Sequence, residues 1–185
     1  MADLSHEEQL QIEAGAQAFV QELQRASPGL LVEGAAVPGK AAHVDAVFLE
    51  HYTKSVGQLA TAHFSDAVQG LLEEDDFDVG SLQSGDDGAS IGHFVLRAFR
   101  KRLCNPTAEA DLRQELQKVR KEHGLDINPT AAGISSSAAT AIALSVGTIM
   151  GGGPLAVVLA PLAGSVALLL LLVGVDTFCD WAKDK

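Results

Sequence analysis

Apolar residues recur at threes and fours along most of the chain, the spacing of helices with one buried face. From Ser5 to about Arg25, Ile12, Ala16, Phe19, Val20 and Leu23 form such a face. Ser5 and Glu8 stand at capping-box spacing, and Ser27-Pro28-Gly29 ends the element. A longer pattern runs from Ala41 to about Leu72 through Val47, Val56, Leu59, Phe64, Val68 and Leu71, with a split expected at Gly57 or near Thr61. Ile91 to Leu103 returns to helix with Phe94, Val95, Ala98 and Phe99. Asn105-Pro106 breaks it, and Thr107 to about His123 carries a narrow stripe of Leu112, Leu116 and Val119. Thr107 is the expected N-cap of that helix and Gly124 its C-cap.

The pattern then changes character. Ile127 to Val175 is 49 residues without Asp, Glu, Lys or Arg. Gly151-Gly152-Gly153-Pro154 divides it into two arms, Ile134–Met150 and Pro154–Val175. Neither arm alternates like a half-buried strand, so both are expected to be helices, joined as a hydrophobic hairpin. About 20 residues of helix span a bilayer's hydrocarbon layer. The second arm has that length, the first is marginal, and Pro161 should kink the second or delay its start. Ser135, Ala139, Ala143, Gly147 and Gly151 form a small-residue stripe at every fourth position. Ala156, Ala160 and Gly164 repeat it before the bulky run Leu168–Leu172. Such stripes let two helix backbones approach closely. A helix apolar all round fits a membrane or the centre of a soluble bundle, and the pattern leaves both open.

The expected fold class is therefore all-α: an amphipathic helical bundle around, or followed by, a C-terminal hydrophobic hairpin. Residues 1–126 make the amphipathic region, with an acidic Gly/Ser-rich loop at about 73–90. Residues 127–175 make the hairpin and 176–185 a short polar and aromatic tail.

Charge sharpens this division. The net charge of −11 argues against nucleic acid as a partner. Sixteen acids and three bases lie in residues 1–90, but eight bases and four acids in residues 97–122. Arg97, Arg100, Lys101 and Arg102, in the basic segment that precedes the apolar one, are expected to contact anionic lipid head groups, or else to belong to a solvated amphipathic helix with ordinary charge pairs. Phe178 and Trp181 are expected at a membrane interface beyond the hairpin. Cys104 and Cys179 have no metal or redox spacing and are either two free thiols or one bridge from the basic helix to the hairpin's exit. The N-terminus lacks the basic and apolar regions of a signal peptide.

Candidate chemistry is sparse. Gly34 to Ala41 falls one residue short of a P-loop: Ala41 has no hydroxyl for Mg²⁺, and Pro38 removes an amide that would hold phosphate. His43, His51 and His63 are spaced too widely for one metal site, so buried or capping roles are expected for them. Asp76, Asp78 and Gly80 do not fit the EF-hand frame. Ser135-Ser136-Ser137 has no evident base, and no hydrolase, metalloprotease or dithiol motif occurs. No enzyme activity, cofactor or metal is expected.

In chain length, C-terminal hairpin, small-residue-rich first arm and glycine-containing tip, the layout resembles the pore-forming domain of colicin-type toxins. That resemblance implies a bundle that shields the hairpin in water and releases it to lipid, with protonation of acids and histidines loosening the cover. The lipid membrane is the expected partner. The inserting residues would be Ala139, Ala143, Gly147, Gly151, Pro154, Ala160 and Gly164, then Leu168, Leu170 and Leu172, with Trp181 at the interface. The leucine run is expected to supply the driving force. The alternatives are a constitutively membrane-anchored scaffold and a soluble interaction protein that buries the hairpin in a homo-oligomer.

Overall fold

In a computed structural model of the chain, residues 3–26, 46–74, 87–123 and 136–183 are described. Within them all regular structure is helical, as expected. The P-loop-like stretch, His43, Gly124, Ser135 and the centre of the acidic loop lie outside the described residues.

Helix α1 (His6–Ala26) starts at the expected capping box. Ser5 Oγ accepts the Glu8 amide at 3.2 Å, and the Glu8 carboxylate accepts the Ser5 amide at 2.7 Å. Its whole apolar face is buried: Ile12, Ala16, Phe19, Val20 and Leu23. The long second pattern becomes two helices, α2 (Ala46–His63) and α3 (Ser65–Glu74). The joint is at Phe64, whose ring centroid lies 5.1 Å from that of Phe19. The expected split at Gly57 does not occur, and the joint falls near Thr61 as the other expectation had it.

Helix α4 (Asp87–Leu103) starts four residues before the pattern indicated. Helix α5 (Pro106–Glu122) is capped by Asn105 and not by Thr107. Asn105 Oδ1 accepts the Ala108 amide at 3.0 Å, and Pro106 occupies the first turn, where a missing N–H costs nothing. Thr107 is thereby placed inside the first turn.

The first hairpin arm is α6 (Ser136–Ile149). It ends with Gly151 N–H on Thr148 O at 3.1 Å and Gly152 N–H on Gly147 O at 3.0 Å, the two bonds of a Schellman motif. Gly151, Gly152 and Gly153 have φ of 101°, 64° and 74°, left-handed values that account for three glycines in a row. The second arm is α7 (Gly153–Val158) and α8 (Ala160–Val173). Leu159 keeps right-handed helical backbone angles between them, and Pro161, in the first turn of α8, has no amide to bridge the joint. After Gly174 (φ 85°) the chain bends by 112° into α9 (Val175–Lys183), so the expected tail is a helix.

Helix α8 is the centre of the bundle. Twelve of its fourteen residues are buried, which explains why no polar face interrupts its sequence. Helix α1 packs on both hairpin arms, most extensively on α8, and α2 pairs tightly with α4. Helix α5 flanks α6, and α9 packs on α4 and α8.

Candidate functional site: the hairpin and its cover

The small-residue stripes meet α1. A Cβ on Gly164 would lie 2.7 Å from the Ala16 carbonyl oxygen and 2.8 Å from its Cα. One on Gly15 would lie 2.7 Å from the Ala160 Cβ, and one on Gly147 would lie 3.2 Å from Ile12 Cδ1. Gly147 also faces the second arm, at 3.9 Å from the Ala156 Cβ. Ala139 and Ala143 are fully buried. The expectation of close arm-to-arm approach is thus met in part, but the hairpin's own tightest approach is to α1, between Gly15-Ala16 of α1 and Ala160-Pro161 and Gly164 of α8. The matching small pair on α1 escaped the sequence reading because two residues do not make a stripe.

The remaining hairpin positions divide by depth. Leu168 and Leu170 are buried, Leu172 is half-buried, and Gly151 and Pro154 are exposed at the tip. Phe178 is buried in the core, which corrects its expected place at a membrane interface, and Trp181 is half-buried with its ring centroid 6.4 Å from His93. Of the buried or capping roles expected for His51 and His63, the buried one does not hold: both are exposed off the packed face of α2, and His63 stands in its last turn.

Polar contacts hold α8 at several points. Tyr52 Oη of α2 donates to the Ser165 carbonyl at 2.5 Å, and burial pushes the Tyr52 hydroxyl far above the usual tyrosine range. Arg120 of α5 donates to the Leu171 carbonyl at 3.0 Å, in the last turn of α8, where carbonyls lack intrahelical partners. Arg113 of α5 pairs with Glu109 at 3.1 Å and with Asp176 of α9. These partners, Asp176 foremost, push the Arg113 guanidinium further up. The basic cluster is divided between roles: Arg97 and Lys101 are exposed, but Arg100 Nε donates to the Cys179 carbonyl at 3.4 Å, and Arg102 is half-buried. Cys104 and Cys179 form a disulfide, which settles the two readings in favour of the bridge.

The tip is bordered by acids. Asp66, Gln69, Gly70 and Glu73 of α3 share a cleft of about 430 Å³ with Pro154, Leu155 and Val158. Glu8 of α1 is there too. Hydrogen bonds from the Ser5 amide and then the Ser5 hydroxyl hold its carboxyl below the usual glutamate range, with a smaller push from the Gly153 amide. The exit end of the hairpin, at the far end of the 14-residue, about 21 Å long α8, is bordered by Arg100, Arg113 and Arg120.

No single described helix is long and apolar enough to cross a membrane. The joint at Leu159, beside Pro161 where a kink or a delayed start was expected, divides the second arm and leaves neither piece at spanning length. The bent pair α8 and α9 passes by length and composition only. One group of three metal-ligating side chains occurs among the described residues: Cys104, Glu109 and Cys179. Comparison with known families, with characterised proteins and with solved structures finds no match.

Proposed function

We propose that this protein is a membrane-interacting bundle that keeps its hairpin, α6 to α8, under α1 in water and transfers it to a lipid bilayer, which it then permeabilises. The observation that carries the reading is α8: a helix apolar all round, at the centre of a single chain, in a hairpin with no charged residue. The polarity of the surroundings supports a tip-first path. Arginines stand at the exit end, where head groups would be met, and acids stand at the tip, where the cover must part.

The burial of α8 changes the energetics expected from the sequence. A Leu side chain gains about 1.5–3 kcal/mol on leaving water. Leu168 to Leu171 have already left it. Moving them from protein to hydrocarbon gains little, so the leucine run does not drive transfer. The work is done by head-group attraction and by new lipid contacts for the faces that α1 and α3 uncover. His93 Nε2 lies 3.3 Å from Glu50 Oε2, a contact that ties α4 to α2.

Flotation of detergent-free protein with vesicles tests the reading. The protein is expected to float with anionic vesicles, less with zwitterionic ones, and to release trapped dye from the former. Absence of flotation with anionic vesicles at both neutral and mildly acidic pH would contradict it. The soluble alternative draws on the same burial: the monomer already covers the segment that a homo-oligomer was expected to bury. A lipid-indifferent monomer would favour an interaction protein.

A further inference from the structure

The Cys104–Cys179 bridge has a third neighbour. Glu109, in the first turn of α5, places a carboxylate oxygen so that it and the two sulfurs all lie within 4.8 Å of one another. We propose that when the bridge is reduced these three groups bind a thiophilic divalent cation of the zinc class, which replaces the covalent tie between the α4–α5 corner and α9.

The distances fit such an ion. Zinc takes thiolate sulfur at about 2.3 Å and carboxylate oxygen at about 2.0–2.2 Å, so donors around one ion stand no more than about 4.6 Å apart. Cys104 and Cys179 have Cα atoms 5.8 Å apart, and rotation of the two side chains is enough to part the sulfurs around an ion. All three residues are half-buried, which leaves a way in and room for a solvent molecule as fourth ligand.

The site survives the loss of the S–S bond because other contacts hold α9 in place. Arg100 binds the Cys179 carbonyl, Arg113 binds Asp176, and Phe178 is buried in the core. Arg113 also orients Glu109 from outside, as carboxylates that bind metals are commonly held. Two thiolates and a carboxylate outweigh a dication by one charge, and Arg100 and Arg113 offset the excess. A pair of thiolates favours zinc-class ions over Mg²⁺ or Ca²⁺.

The chemistry balances with a dithiol as reductant. Its two electrons cleave the Cys104–Cys179 bond and its two protons pass to the cysteines, while it closes to its own disulfide. The cation then displaces both thiol protons to solvent. The tie is thereby kept in oxidising surroundings as a disulfide and in reducing ones as a metal bridge.

The test uses the full chain and Co²⁺ as a spectroscopic probe. Protein reduced with a phosphine and protein left oxidised are each titrated. The reduced chain is expected to take one Co²⁺ with thiolate-to-metal charge-transfer absorption, which one equivalent of Zn²⁺ removes, and the oxidised chain is expected to show none. Glu109→Gln should weaken binding by about tenfold or more. Glu115→Gln, elsewhere on α5, should bind like the parent. Helical circular dichroism is recorded for every variant, so that a loss of binding is scored only in folded protein. No charge-transfer absorption in the reduced chain, or unchanged affinity in Glu109→Gln, overturns the proposal.

Discussion

Gly92 and Gly164 set the distance between helix pairs. A Cβ on Gly92 would lie 2.0 Å from the backbone oxygen of Thr53, and one on Gly164 would lie 2.7 Å from that of Ala16. Neither obstacle is a flexible side-chain end, so the helices must separate to admit a methyl group. Gly164→Ala should cost about 1–3 kcal/mol, and Gly92→Ala more, in denaturant unfolding. A cost near zero at both would mean that these crossings are looser than described. Tyr52→Phe removes one buried hydrogen bond, to a carbonyl that belongs to a helix, and should cost about 1 kcal/mol. Gly92, Gly15 and Arg120 were not legible as site residues. Their importance lies in what faces them from another helix, and periodicity carries no such information. Asn105 is legible in principle: Asn followed by Pro is a stronger helix start than Thr107 two residues on.

At the scale of elements, helices with one apolar stripe and a local cap were the most legible. The apolar face and capping box of α1 both appear where the sequence put them, since each depends on residues within one or two turns. The hairpin's tip was legible for the same reason. The partner of the stripes was not, because small residues permit close approach without naming the helix that approaches. The α1 cap also carries a pH dependence. The Glu8 carboxyl is held below its unfolded value, so its charged form favours the fold. That contribution is complete above the unfolded glutamate value of about 4.3 and is lost as pH falls through the lower folded value. Hydrogen exchange at the start of α1 and at Gly153 should quicken, relative to the intrinsic rate, only in this acid range. In Glu8→Gln it should be quick already at neutral pH and lack that transition. Parent-like protection in the variant would contradict the tie. The disulfide is another matter of elements: it joins residues 75 apart, so Cys104→Ser/Cys179→Ser should lose about 2–5 kcal/mol under oxidising, metal-free conditions. A loss under 1 kcal/mol would show that α9 is held by its other contacts alone.

For the whole molecule, the sequence divided the chain into an amphipathic part and an apolar part, and left open whether the second lies in lipid or in the first. In the bundle the first part wraps the second. The choice was not legible because a helix apolar on all sides satisfies either solvent, protein or hydrocarbon. Transfer between the two is the central claim, and it requires the tip to leave α3. A Cβ on Gly70 would lie 3.9 Å from the Val158 Cβ, within the range of about 3.5–4.5 Å that a disulfide spans. Gly70→Cys/Val158→Cys, oxidised and with the new bond established by mass spectrometry, therefore locks α3 to the tip without disturbing the buried core. With anionic vesicles the parent is expected to release trapped dye, and the locked variant to release none until a reductant frees it, with the parent under reductant as control. Dye release by the locked variant at the parent's rate would contradict the account.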